Sequence, residues 1–276
     1  MPQGPLVLFG AERMGSALAE GWLKGPLDRP LFIIDPHPAA GLKAHADAGR
    51  LTLNPPAESA GVLAVCVKPQ VFPSVAQDLT HWIGPETAVL SIMAGIRLDQ
   101  LASRLGTARI IRAMPNTPGA IGQGVTLISP GPGATTADTT LATALLAPLG
   151  LVEGPMDEDQ LSIATAVSGC GPAYLFLLAE ILGDAGTEAG LDPALSARIA
   201  QATVTGAAAL LASGDTSPAD LRRAVTSPNG VTQAALEVLM AENGWPSPMH
   251  EAIAAAVARD AALSAALDAE QGDGQD

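Results

Sequence analysis

Gly10-Ala11-Glu12-Arg13-Met14-Gly15 is the first segment whose residue types and spacing could do chemistry. It lies between an apolar run, Leu6–Phe9, and a stretch with helical patterning at residues 14–24. Glycines at such a strand-to-helix turn let the backbone and the helix N-terminus approach a phosphate closely. Asp35 follows Gly15 by twenty residues, at the end of a second apolar run, Leu31–Ile34. A carboxylate there suits the paired hydroxyls of an adenine ribose. The two features predict a dinucleotide site in which Gly10, Ala11, Arg13, Met14 and Gly15 face the pyrophosphate and Asp35 the ribose. Because a carboxylate repels a 2′-phosphate, NADH is expected over NADPH. The alternative is a strand-helix-strand unit that binds nothing, with Asp35 only starting a turn at Pro36. Glu12 departs from the pattern: it holds the place of the second glycine, where its charge opposes a pyrophosphate unless neighbouring Arg13 draws it aside.

The elements that must position these residues are legible as alternating patterns. Strands are expected at Leu6–Phe9, Leu31–Ile34, 62–67, 88–92, 109–112 and 125–129, with helices between them such as 14–24 and Leu98–Leu105. Such alternation predicts a mainly parallel sheet with helices on both faces. After Gly154-Pro155 the patterning turns wholly helical, at 174–189, 194–213, 233–243 and 250–267, with Asp192 capping the helix that Pro193 opens. The expected fold is therefore α/β: a Rossmann-type dinucleotide-binding domain at 1–154, an all-α domain at 155–267, and a disordered acidic tail at 268–276.

Composition excludes some functions. A formal net charge of −14 argues against a nucleic-acid surface. Aromatic residues are only 3% of the chain, so the core must be built from Ala, Leu, Val and Ile. The two cysteines, Cys66 and Cys170, lack metal-ligand spacing and read as reduced core thiols. No metal site is expected. No leader segment and no uninterrupted apolar stretch of membrane-spanning length is visible, so a cytoplasmic protein with no membrane partner is expected.

Five further segments resemble the pyrroline-5-carboxylate reductase family, in the family's order. They are Val65-Cys66-Val67-Lys68-Pro69-Gln70, Ser91-Ile92-Met93-Ala94-Gly95-Ile96, Arg112-Ala113-Met114-Pro115-Asn116-Thr117-Pro118, Ser168-Gly169-Cys170-Gly171-Pro172-Ala173-Tyr174 and Ser227-Pro228-Asn229-Gly230-Val231-Thr232. The chain departs from the family at Glu12, Cys170, Asn229 and Val231. Asn229, standing for a glycine, tolerates a left-handed backbone better than other side chains do.

The resemblance implies a nicotinamide-dependent reductase that makes L-proline from the cyclic imine Δ1-pyrroline-5-carboxylate, the last step of proline biosynthesis. It implies a helical domain that interlocks with a second copy, giving a homodimer or larger homo-oligomer. Val67, Lys68, Pro69, Ala94, Gly95, Met114, Pro115 and Asn116 would line the cofactor, Lys68 mainly through its backbone. Asn54 would reach the adenosine ribose or its phosphate, or else only cap a loop. Ser227, Gly230, Val231 and Thr232 would hold the substrate carboxylate. Thr232 would meet the ring nitrogen as the catalytic hydroxyl, or else only cap a helix. Glu158 would lie near the substrate amine, or else serve as a carboxylate at a helix start. Two other functions fit the residues less closely: a related NAD(P)-dependent imine or hydroxy-acid reductase, and a non-catalytic nucleotide sensor, the latter suggested by Glu12.

Overall fold

The first apolar run forms strand β1 (Leu6–Phe9), buried along its whole length. Leu6 and Leu8 enter one hydrophobic core, while Val7 and Phe9 enter a second on the opposite face. Strand β4 (Val62–Val65) divides in the same way, Val62 and Ala64 to one core and Leu63 and Val65 to the other. Continuous apolar runs of this kind are what a parallel sheet covered on both faces requires. Each fully buried Leu or Val side chain contributes about 1.5–3 kcal/mol relative to exposure. The computed structural model describes the backbone of residues 3–272 and the side chains of residues 3–265.

The other strands are β2 (Leu31–Ile34), β3 (Thr52–Leu53), β5 (Ala88–Ser91), β6 (Ile110–Pro115), β7 (Gly124–Pro130) and β8 (Gly150–Glu153). They form one sheet in the order β3-β2-β1-β4-β5-β6-β7-β8, parallel except where β7 runs antiparallel to β6. The strand order reverses between β1 and β4, and a crevice at the strands' C-terminal ends there is where such sheets bind ligands. Helices α1 (Arg13–Trp22), α2 (Ala40–Asp47), α3 (Phe72–Thr80), α4 (Leu98–Leu105) and α5 (Thr136–Leu146) connect the strands. Helix α1 buries Gly15, Leu18, Ala19 and Trp22, one face at helical spacing, and the Trp22 indole donates to Leu145 O at 2.7 Å.

Six helices follow: α6 (Glu158–Ser168), α7 (Gly171–Glu188), α8 (Pro193–Ala212), α9 (Pro218–Ala224), α10 (Val231–Leu239) and α11 (Pro246–Gly272). Asp192 caps α8 as expected, its side chain accepting from Leu195 N–H. The chain divides into two compact units, Met1–Gly169 with Val257–Asp276, and Cys170–Ala256. The division therefore falls later than 154, because α6 packs on β7 and Asn116 Nδ2 donates to Ser168 O at 2.9 Å. It also falls inside α11, which stays helical to Gly272, so residues 268–272 are not an irregular tail; residues 273–276 lie outside the described residues.

In the second unit α7 and α8 pack through small residues. A side-chain carbon on Gly186 would sit 2.2 Å from Ser196 Oγ, and Ser196 donates to Gly183 O at 2.7 Å. The large apolar side chains point outward: Phe176 is 68% exposed and Ile181 55%, with Leu175, Leu177, Ile199 and Leu210 also exposed. Two stretches, Glu158–Glu188 and Pro193–Ala212, are by length and composition apolar enough to cross a membrane, with 11% of each window buried. Neither stretch is an uninterrupted apolar run, since Ser, Thr and Gly interrupt both; they reach this mean hydropathy through their Ala, Leu and Ile content. An apolar surface of this extent predicts self-association. Sedimentation velocity at micromolar concentration should show a dimer or larger species, and a stable monomer would contradict this.

Candidate functional site

The glycine turn sits at the β1/β4 crevice. Gly10 has φ +91°, a left-handed conformation that favours glycine, and a side-chain carbon there would lie 2.8 Å from Val67 Cγ1 and 2.9 Å from the Cys66 carbonyl carbon. A side-chain carbon on Gly15 would lie 2.2 Å from Gly10 O. Both glycines are therefore required, and they bring the start of α1 against the ends of β1 and β4. The first-turn N–H groups of such a helix have no partner within it and suit an anion. Cys66 lies beneath Gly15, and burial pushes its thiol pKa well above the usual range, which keeps it neutral. Both cysteines are free, Cys66 buried and Cys170 partly so.

Asp35 directly follows β2 and is buried, at 7% exposure. Its Oδ2 accepts from Ala11 N–H at 2.6 Å and its Oδ1 from His37 N–H at 2.7 Å. Asn54, at φ +47°, turns its amide back onto the same residue: its Oδ1 accepts from Asp35 N–H and its Nδ2 donates to Asp35 O, each at 3.0 Å. The carboxylate is thus fixed beside the glycine turn, and Asn54 fixes the backbone that carries it.

Ala94 and Gly95 follow β5, and Met114 and Pro115 end β6, with Asn116 next. Since β1, β4, β5 and β6 are parallel, these residues share the sheet edge that carries the glycine turn. Gly95, at φ +72°, accepts from Ser264 Oγ at 3.2 Å, and Gln100 Nε2 donates to Ser264 O at 3.1 Å. Ser264 was not foreseen; a serine in an Ala-rich helix gives no local signal. Asn116 is buried and fully used, accepting from Val125 N–H at 2.8 Å while donating to Ser168 O.

Glu158 stands at the start of α6 with its carboxylate half enclosed. Arg112 Nη1 lies 2.7 Å from Oε1, Leu98 N–H donates to the same oxygen at 2.8 Å, and Arg97 Nη2 lies 3.4 Å from Oε2. These partners bind α6 to β6 and to the start of α4. The geometry thus gives Glu158 structural work, with Arg112 and Arg97 as partners that sequence spacing alone does not reveal.

In the second unit, residues 227–230 form a turn closed by Gly230 N–H to Ser227 O at 3.0 Å. Asn229 has φ +57°, the left-handed conformation expected of it. A side-chain carbon on Gly230 would sit 2.4 Å from Ser227 Oγ. Helix α10 then begins at Val231, two residues earlier than its patterning indicates, with Gly230 as its cap residue. The N–H groups of Val231 and Thr232 are in its first turn, and Thr232 is half-buried. Because Gly230 holds the cap position and no side-chain cap bond is made, Thr232 is not the helix cap. In the same unit, burial and then the adjacent Cys170 thiol raise the Tyr174 hydroxyl's pKa, so Tyr174 stays protonated.

A doubly wound sheet with a glycine turn at its switch point, followed by apolar helices, defines a dinucleotide-binding protein with an appended association unit. A family model described as pyrroline-5-carboxylate reductase dimerisation matches residues 158–263, which includes both long apolar helices. The pyrroline-5-carboxylate reductase of Pseudomonas aeruginosa is 40% identical over 209 residues, 75% of this chain and 76% of its own. The solved pyrroline-5-carboxylate reductase of Coxiella burnetii matches with a TM-score of 0.85 at 28% identity, covering 94% of this chain and 98% of that one. A Plasmodium falciparum pyrroline carboxylate reductase, solved with NADP bound, gives 0.75 at 27% identity, covering 94% and 99%. The chain belongs to the pyrroline-5-carboxylate reductase family. The family and the fold class expected from the motifs are both borne out, and the readings as another reductase or a nucleotide sensor are set aside.

Two outcomes follow from this geometry. Gly15→Ala should weaken dinucleotide binding at least about tenfold in a fluorescence titration, because the clash is with backbone and α1 must shift. Glu158→Gln should lower folding stability by about 3 kcal/mol in chemical denaturation, because Arg112 is left buried without its counter-charge. A higher KM with unchanged stability would instead return Glu158 to the substrate.

Proposed function

We propose that this protein reduces Δ1-pyrroline-5-carboxylate to L-proline with a reduced nicotinamide dinucleotide. The observation that carries the reading is the pairing, in one chain of this family, of a glycine turn with no room for side chains and a substrate-type loop opening α10. The pyrophosphate is received by the turn from Gly10 to Gly15 and by the first-turn N–H groups of α1. Asp35 and Asn54 form the ribose end, and Val67, Lys68, Pro69, Ala94, Gly95, Met114, Pro115 and Asn116 line the rest. The bound cofactor supplies the hydride. Protonation of the ring nitrogen makes the adjacent carbon electrophilic, so the protein's task is to orient the imine and place charge. The N–H groups of Val231 and Thr232 hold the substrate carboxylate, and Ser227 and Gly230 shape the loop around it. The Thr232 hydroxyl meets the ring nitrogen and steadies its proton during transfer. Glu158 acts at a distance, holding α6 and the start of α4 in place.

NADH is the preferred reductant in this reading. Asp35 is held by two backbone N–H groups, so its charge cannot swing aside for a 2′-phosphate. The enzyme works as a homo-oligomer in the cytoplasm, where its two free cysteines stay reduced.

Incubation with pyrroline-5-carboxylate and either NADH or NADPH should yield proline, with the higher kcat/KM for NADH. No proline with either cofactor would reject the function, while a clear NADPH preference would reject only the role of Asp35. Thr232→Ala should lower kcat by about ten- to a hundredfold with NADH affinity nearly unchanged, as expected for a bond made mainly in the transition state. Unaltered turnover would remove Thr232 from the mechanism.

A further inference from the structure

Glu12 is the residue at which the glycine turn departs from its family, and the structure gives it a partner. Its Oε2 lies 3.0 Å from Lys68 Nζ, with the two side chains 61% and 62% exposed. Glu12 is the cap residue of α1 but makes no side-chain bond to the helix. Lys68 stands just beyond β4, in the segment whose Val67 touches Gly10. Arg13, expected to draw Glu12 aside, forms no ion pair among the described residues, so Lys68 takes that role. An exposed pair of this kind adds little to folding stability. Its placement is what matters, because it joins the two segments that flank the crevice where a pyrophosphate would be received.

We propose that Lys68 is the counter-charge that lets a carboxylate stand in the phosphate-binding turn, making it an affinity-determining residue for the cofactor through its side chain. With both present, the turn offers the dinucleotide no net charge from these positions. Removal of either leaves one unit charge beside a polyanion, of opposite sign in the two cases. In a chain with 28 acidic and 14 basic residues, no general excess of cations replaces Lys68. This inference rests on the reading that a dinucleotide binds at the Gly10–Gly15 turn.

The test is a titration of NADH, followed by fluorescence, into wild type, Lys68→Gln, Glu12→Gln and the double variant, each at low and high salt. Lys68→Gln should weaken binding and Glu12→Gln tighten it, each by about three- to thirtyfold. The double variant should return to within about twofold of wild type, since both charges are then gone. Added salt should narrow the gap between each single variant and wild type. Thermal midpoints should be unmoved, which separates a charge effect from misfolding. Single variants that bind like wild type, or a double variant as weak as Lys68→Gln, would overturn the proposal while leaving the cofactor site intact. Failure of wild type to bind NADH or NADPH at all would instead overturn the cofactor site, and the proposal with it.

Discussion

Between Gly10 and Gly15 the chain turns from β1 into α1 with no space for a side-chain carbon at either residue. That closeness sets the position of everything around the crevice. It seats α1 low enough for Leu18 and Trp22 to join the core beneath, and it brings the turn against Cys66 and Val67 at the end of β4. It also leaves Ala11 N–H where Asp35 can accept from it, so the carboxylate and the turn are positioned by one hydrogen bond. A helix start set farther from the strands would separate these groups and lose the convergence on which anion binding depends.

How much of this was legible in the sequence depends on how each element is buried. Strands β1, β2, β4 and β5 could be read because every second residue belongs to one of two cores, leaving runs of Leu, Val and Ile. Strands β3 and β8 could not. They lie at the two edges of the sheet, one only two residues long and the other alternating between half-buried and exposed. Short edge strands carry little burial signal. Among the site residues, the glycines and Asn229 were readable because their backbone conformations restrict the residue type. The partners of Glu158 were not: Arg97, Arg112 and Leu98 are distant in sequence and meet only once the sheet has formed.

Several polar residues of the first unit pin turns. Asn54 holds Asp35, Asn116 holds both Val125 and the end of α6, and Ser264 with Gln100 holds the turn at Gly95. A buried donor or acceptor left unpaired costs about 1–3 kcal/mol, so each arrangement resists being opened. Turns at a strand's end have few neighbours in a ladder to fix them, and these side chains supply that restraint along the edge proposed for the cofactor. Arg112 shows the limit of such pairing, since its Nε remains buried without a partner while its Nη1 is bound to Glu158.

The second unit is built on the opposite principle. Gly183, Gly186, Ser196 and Ala200 let α7 and α8 approach closely, and this turns the Leu, Ile and Phe side chains away from their shared interface. With aromatic residues so scarce, the unit has few large groups with which to cover that surface from within. Apolar area left in water contributes nothing to folding, whereas its burial against another surface contributes roughly 25 cal/mol per Å². Covering these side chains by association would therefore stabilise the unit that carries the 227–232 loop. On the proposed reading, conditions that dissociate the protein should loosen the 227–232 loop before they disturb the sheet that carries the glycine turn.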